Sequence, residues 1–539
     1  MRVHSEKALS EAVGVFKDFF NGKNPLITIV TPTWNTKPEW FLDLALSILE
    51  QSFLDWEWCI VDDHSSSTEF HSLFTELERL PNVRVEKLDE GKGISGATNR
   101  GVELAKGEYV CFVDHDDLLS RNALMQCAKA GSRGFDAIYT DSDKVDEQGR
   151  RSEPFHKPDW SPEFFRGVMY VGHLLCVRRT LALAAGGFNS AYDGVQDFEF
   201  FLRCSELTEK IHHIPEILYH WRMVAGSVAA AVNAKGDLGK LQQRAVQAQL
   251  DRLGFNAQAE PGDYPHRVKI VPRLRRSWPK VSIIIPTKDN PDILQQCLYS
   301  LFSRTSYPAF EVLCIDNSTS DARALQEMKE APVQRILLTG KFNFSRANNL
   351  GLAHSTGEYL VFMNNDIETL SPDWIEQMLY YAEQEDVGAV GGLLLYPDHT
   401  VQHAGVVLGC RGTADHVLRG CPGDADGYAG SLSCAREISA VTAACMMMRR
   451  DVYESVGGFN EHFFTAYQDV DLCLRVRERR RIIWTPRARF IHHESASRGT
   501  YYDHVDRHLL LDFWEPLIRA GDPYYNPNFN VEACDYRLN

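Results

Sequence analysis

The sequence predicts an α/β protein built from two tandem, Rossmann-like domains with mainly parallel sheets, joined by a linker. Three observations predict it: six sequence blocks recur in the same order in both halves, short apolar runs alternate with amphipathic ones, and each apolar run ends on polar residues. At 539 residues the chain also exceeds what one hydrophobic core usually organises.

The repeat fixes the elements in order. PLITIVTPTWN (25–35) matches PKVSIIIPTKDN (279–290), and CIVDDHSS (59–66) matches LCIDNSTS (313–320). ATNRGVELAKGEYVCFVDHDD (97–117) matches ANNLGLAHSTGEYLVFMNNDI (347–367), and GGFN recurs at 186–189 and 457–460. Each GGFN is followed by a Gln-Asp stretch, VQDFEFFLR (195–203) and YQDVDLCLR (467–475). Apolar runs such as ITIVTP, EWCIVDD and GEYVCFVD read as strands, and EWFLDLALSILEQS as a helix between them. The expected organisation is a helical segment over 1–24, domains over 25–255 and 279–510, a Pro- and Arg-rich linker over 256–278, and a tail over 511–539. A longer insertion in the second copy, roughly 396–440, is a candidate acceptor-binding segment.

Composition excludes several classes. The 57 basic and 73 acidic residues leave a net charge of −16, which argues against nucleic acid and against a polybasic membrane binder. No apolar run suits a signal peptide or a membrane span, so the expectation is a cytoplasmic protein with at most peripheral contact at the inner face of the plasma membrane. Thirteen cysteines without a CxxC pair read as buried reduced thiols, and Cys410, Cys421 and Cys434 lack histidines at zinc-ligand spacing. GKGISG (91–96) fits a dinucleotide fingerprint, but it follows the third strand-like run and has no counterpart in the second copy, and no P-loop motif is present. The basic stretches 273–280 and 475–481 read as solvated faces, with contact to anionic lipid or a diphosphate-linked acceptor as the alternative.

In parallel α/β sheets ligands bind beyond the carboxyl ends of the strands. The strand-end residues Thr33, Asp62, Asp63, Asp114 and Asp116, and in the second copy Thr287, Asp316 and Asp366, therefore face one crevice per domain. Asp114 and Asp116, two apart on a strand end, offer two hard oxygen ligands suited to Mg²⁺ or Mn²⁺. The second copy reads Asn364-Asn365-Asp366, so its metal binding should be weaker. In the Gln-Asp stretches positions 198, 201, 202 and 470, 473, 474 are apolar at helical spacing. Asp197 and Asp469 at the helix starts then either complement the helix dipole or act as general bases. His220 and His492 follow at matching places, either as structural imidazoles or as metal ligands.

Taken together these motifs resemble the GT-A-fold, family 2 inverting glycosyltransferases in tandem, and are similar to enzymes of bacterial O-antigen and surface-polysaccharide assembly; the NND copy resembles rhamnosyltransferase-like members. The resemblance covers about residues 25–230 and 279–500. It implies that Asp62, Asp63 and Thr33, and Asp316 and Thr287, bind the base of a UDP-, GDP- or dTDP-sugar donor. Asp114, Asp116 and His220 would hold the cation on the diphosphate, as would Asp366 with His492, and Asp197 and Asp469 would be the catalytic bases. The acceptor would be a glycan, free or lipid-linked. Gln196 and Gln468 stand where the family often has Glu. The implied function is a bifunctional transferase; the alternative is one catalytic domain with the other as a nucleotide-sugar or glycan-binding scaffold. A sugar nucleotidyltransferase would need a basic, Gly-rich loop near the first strand, which neither TPTWN nor IPTKDN supplies.

Overall fold

The structure, a computed structural model, describes residues 6–16, 25–67, 70–223, 238–275, 277–493 and 504–539. It divides into two compact units: Met1–Trp160 with Met169–Leu253, and Ser161–Val168 with Gly254–Asn539.

The first unit is a nine-stranded sheet. Its strands are β1 Ile27–Thr33, β2 Trp56–Asp62, β3 Val83–Lys87, β4 Tyr109–Phe112, β5 Leu118–Leu119, β6 Ala137–Val145, β7 Arg151–Phe155, β8 Leu175–Arg178 and β9 Ile211–Arg222. The order is β3-β2-β1-β4-β8-β6-β9-β5, with β7 on β6. The β3-β2-β1-β4 half is wholly parallel, and β8 then pairs antiparallel with both β4 and β6. Every residue of β1 and β2 is buried, as expected of strands covered on both faces. Pro38 opens the helix Pro38–Leu49, whose apolar face packs Phe41 onto Trp58 and Phe74.

The second unit first forms a hairpin, β10 Ala257–Pro261 with β11 Val268–Pro272. Its main sheet uses β12 Val281–Thr287, β13 Phe310–Asp316, β14 Val333–Leu337, β15 Tyr359–Met363, β16 Ile367–Thr369, β17 Val387–Leu395, β18 Val401–His403, β21 Arg436–Glu437, β22 Cys445–Arg449 and β23 Arg481–His492. A separate hairpin joins β19 Val406–Leu408 to β20 Ala414–His416. The main order, β14-β13-β12-β15-β22-β17-β23-β16, reproduces the first unit strand for strand. The repeated GEY blocks show why the sequence folds alike. Gly107 N donates to Thr28 Oγ1 at 2.9 Å and Gly357 N to Ser282 Oγ at 2.8 Å, and in both places an added Cβ would meet the strand backbone nitrogen at 2.6 Å.

Three expectations change here. The segment 256–278 is not a bare linker, because its alternating Ala257, Ala259, Val268 and Ile270 bury one face of the β10–β11 hairpin. Residues 511–539 are not an appended tail: the helix His504–Ala520 runs through that boundary, and Tyr525, Phe529, Cys534 and Tyr536 join the second unit's core. Two of the thirteen cysteines, Cys410 and Cys534, form a disulfide, and the other eleven are free.

Candidate functional site

In the first unit β1 and β2 end side by side, Thr33 opposite Asp62. Thr33 Oγ1 donates to Asp62 Oδ1 at 3.3 Å, Ser65 Oγ donates to the same oxygen at 2.5 Å, and Asp63 Oδ1 accepts from Lys92 N at 2.6 Å. The second unit repeats the arrangement with Thr287 opposite Asp316, but Arg335 Nε and Nη2 hold Asp316 Oδ2 at 2.8 and 2.5 Å. Burial alone would raise the Asp316 pKa; donation from Thr319 and the Arg335 guanidinium outweighs it and leaves the carboxyl below its usual value. Asn35 and Asp289, which the sequence did not single out, brace the loops beyond these strands. Asn35 Oδ1 accepts from Ser66 N and Ser67 N, and Asp289 Oδ1 from Ser320 N and Asp321 N.

The acidic strand end after β4 divides by environment. Asp117 is fully buried and accepts from Tyr219 Oη at 2.6 Å and Arg222 N at 2.7 Å, so it is a structural member of the sheet end. Burial, against the opposing pull of His115, raises the Asp116 pKa, with Asp114 adding like charge. Asp114 lines a recess of about 30 Å³ with Thr98, His173, Gln196 and Asp197. His173 Nε2 is 3.5 Å from Asp114 Oδ2. The sequence did not mark His173, which precedes β8 in an apolar run.

His220 is not in that recess. Its Nδ1 lies 2.6 Å from Asp143 Oδ1 and its Nε2 2.9 Å from Ser120 Oγ, so both ring nitrogens are engaged away from Asp114 and Asp116. The cause is register. In the second unit His492 pairs with Ile367, the residue after Asp366, whereas in the first unit His220 pairs with Leu118, two residues after Asp116. A shift of one residue turns a strand side chain to the opposite face.

His492 meets its expected partners. Its Nε2 is 3.2 Å from Asp366 Oδ1 and 3.4 Å from the Asn364 side-chain amide. Asn364 and His492 line a cleft of about 410 Å³ together with Thr413, Asp415, His416 and Asp469, and Asp366 adjoins it through His492. Arg411 and Arg419 flank it, both paired with Asp415. The insertion thus supplies much of the lining of the cleft that Asp469 also lines. A carboxylate and an imidazole nitrogen 3.2 Å apart fit a divalent cation bound at about 2.1 Å to each.

The two Gln-Asp helices are Gln196–Cys204 and Gln468–Arg477, with 198, 201, 202 and 470, 473, 474 on the buried side. Neither aspartate caps its helix in the usual way, by accepting from a backbone N–H two or three residues on. Asp197 Oδ1 accepts from Phe198 N at 2.8 Å; Asp469 Oδ1 accepts from Val470 N at 2.9 Å, and its Oδ2 from Ala443 N at 3.0 Å. Burial raises the Asp197 pKa, partly opposed by His173.

The basic stretch 475–481 is not a solvated face throughout. Arg481 inserts among Glu437, Glu163 and Asp386, and Arg475 pairs with Asp471.

The duplicated sheet order is that of two tandem GT-A-type domains, and the chain belongs to glycosyl transferase family 2, whose sequence profile matches residues 28–182 and 282–457. Among individual proteins it is 38% identical over 529 residues to the O-antigen biosynthesis protein RfbC of Myxococcus xanthus, covering 96% of this chain and 41% of that one. It is 36% identical over 534 residues to the uncharacterized protein y4gI of Sinorhizobium fredii, covering 95% and 58%. The chain therefore spans about half the length of these relatives. A crystal structure of S. aureus TarS in complex with UDP-GlcNAc aligns at 19% identity and a TM-score of 0.35, covering 42% of this chain and 66% of that one.

Proposed function

We propose that each unit is an inverting glycosyltransferase site and that the chain adds two sugars, or two linkages, to a growing bacterial surface glycan such as an O-antigen. The observation that carries this is a helix-start aspartate beside each acidic strand end: Asp114 and Asp197 line one recess, and His492, 3.2 Å from Asp366, lines one cleft with Asp469. Thr33, Asp62 and Asp63, and Thr287 and Asp316, take the donor nucleotide base. Asp114 and Asp116 would hold Mg²⁺ or Mn²⁺ in the first unit, and Asp366 with His492 in the second; when bound, such a cation offsets charge on the departing nucleoside diphosphate. Asp197 or Asp469 accepts the proton of the acceptor hydroxyl as its oxygen forms a bond to the anomeric carbon. The bond from that carbon to the diphosphate breaks on the opposite face, and configuration inverts. Burial suits Asp197 to this role, because a raised pKa makes the carboxylate a stronger base.

The relationship to an O-antigen biosynthesis protein supports the surface-glycan assignment. No helix among the described residues is long and apolar enough to cross a membrane, and a donor site facing the cytoplasm agrees with the chemistry of nucleotide sugars. The test is donor hydrolysis by the full chain across UDP-, GDP- and dTDP-sugars, followed by product mass spectrometry with glycan acceptors. Turnover of at least one donor is expected; none with any donor, in Mg²⁺ and in Mn²⁺, would overturn the reading.

A further inference from the structure

The two repeats bring an imidazole to the acidic strand end from different parts of the fold. In the second unit it is His492, from β23, with Nε2 3.2 Å from Asp366 Oδ1. In the first unit β9 is offset by one residue, and extending its ladder with β5 by one position sets Trp221, not His220, opposite Asp117. Trp221 is 45% exposed and offers no metal ligand. His220 faces Asp143 and Ser120.

A different imidazole, His173 just ahead of β8, lies beside Asp114, another acid of that strand end. The β4–β8 ladder sets Phe112 opposite Leu175, and the β15–β22 ladder sets Phe362 opposite Met446, so His173 and Ala444 are structural equivalents. Ala444 cannot bind a cation. His173 lies with Nε2 3.5 Å from Asp114 Oδ2, inside the recess that also holds Asp197. Its ring stacks on Tyr219 at 5.1 Å and 22°, and its carbonyl accepts from Lys157 Nζ at 3.0 Å, so both ring and backbone are held. Each unit thus has one imidazole nitrogen within 3.2 to 3.5 Å of a strand-end carboxylate oxygen. A cation about 2.1 Å from both atoms fits either separation after shifts of a few tenths of an ångström.

We infer that His173, not His220, is the imidazole ligand of the first unit's cation, so that each repeat has a carboxylate–imidazole pair, with the imidazole drawn from the segment before β8 in one and from β23 in the other. The inference rests on the metal-bearing reading of the acidic strand ends given above. It also sets the ion: imidazole beside carboxylate favours Mn²⁺ or another first-row divalent ion over Mg²⁺, which prefers all-oxygen shells.

The test uses the full chain carrying Asp366→Ala and His492→Ala, so that Mn²⁺ binding reports the first unit. Continuous-wave resonance gives affinity, and pulsed resonance detects ¹⁴N coupling from a coordinated imidazole. We expect one Mn²⁺ with ¹⁴N coupling in this background. His173→Gln should abolish the coupling and weaken Mn²⁺ binding tenfold or more. Ser120→Ala, which alters only the surroundings of His220, and His220→Gln should leave the coupling in place. Coupling that survives His173→Gln, coupling lost with His220→Gln while circular dichroism is unchanged, or no coupling in the background would each overturn the inference. Because no step reads sugar transfer, these spectra decide the ligand even if the transferase reading fails; lost transfer with intact spectra would count against that reading alone.

Discussion

His492 Nε2 stands 3.2 Å from Asp366 Oδ1, and the residue that matches the first repeat's Asp114, Asn364, turns its amide to within 3.4 Å of the same imidazole. On the metal-bearing reading proposed above, a neutral amide stands where the first unit offers the Asp114 carboxylate, so the second site has one negative ligand fewer. Ligand charge count is a main determinant of divalent-ion affinity. Asn364→Asp should therefore tighten Mn²⁺ binding at the second unit by about tenfold or more. Titration followed by electron resonance measures it, and an unchanged affinity would mean that residue 364 lies outside the coordination sphere.

The first unit should lose transfer on the acid side at a higher pH than an ordinary aspartate would allow. Burial raises the Asp197 pKa, and only the ionised carboxylate accepts a proton, so activity falls as pH drops through that raised value. The check is the pH profile of single-turnover transfer by the first unit. An acid limb at the usual aspartate pKa of about 3.9 would contradict it.

Asp141 should be a stability determinant of the first unit. It is fully buried with Oδ2 2.8 Å from His156 and Oδ1 2.7 Å from His213. Burial pushes its pKa up, yet the two imidazole hydrogen bonds outweigh that and bring it down to about 2. A folded value below the unfolded one of about 3.9 means the contribution is complete above that pH and fades as pH falls towards the folded value. Asp141→Asn should cost roughly 2 to 5 kcal/mol at neutral pH, visible in denaturant unfolding, with the loss shrinking in acid.

Arg481 sits among Glu437, Glu163 and Asp386, and both Glu437 and Glu163 are buried. Arg481→Met would leave buried Glu437 without its cation, while Glu163 keeps Arg166 at 2.5 Å, at a cost on the order of 3 to 5 kcal/mol. Thermal unfolding of the full chain should show one transition moving down. A fragment starting at residue 272 would lack the β10–β11 hairpin and should fold less well than one starting before 254.

What the sequence made legible was whatever repeats locally. The TPT and GEY blocks, the strand-end acids and the Gln-Asp helices sit where periodicity and turn residues put them, because those features depend on near neighbours. Hidden features depend on pairing between distant strands. The one-residue offset that turns His220 towards Asp143 is invisible when YHW and IHH are aligned as text. Glu163 gives no sign in its own segment that it pairs with Arg481, 318 positions away. Arg481 reads as one more charge in a basic run. Cys410 and Cys534 are likewise 124 residues apart, and no spacing rule links them.

The division of labour between the units turns on Asp197 and Asp469. Asp→Asn at either is nearly isosteric but removes the proton acceptor, so it should slow transfer at that unit alone by on the order of 10² to 10⁴. Asp197→Asn should stop one sugar addition and Asp469→Asn the other, and a mixture of the two mutants should restore the two-sugar product if the intermediate is released and rebound. A purely helix-terminal role predicts something else: a stability loss of about 0.3 to 1 kcal/mol with both transfers intact. The two readings also differ in sign for Asp197. Because its pKa is raised by burial, its ionised form opposes folding above the unfolded pKa, so Asp197→Asn should leave the first unit as stable or slightly more stable at neutral pH while abolishing its transfer. Product mass spectrometry and denaturant unfolding on the same preparations separate the outcomes. If Asp469→Asn leaves every transfer intact, the second unit does not catalyse through this residue, and a scaffold role for its 410 Å³ cleft takes precedence.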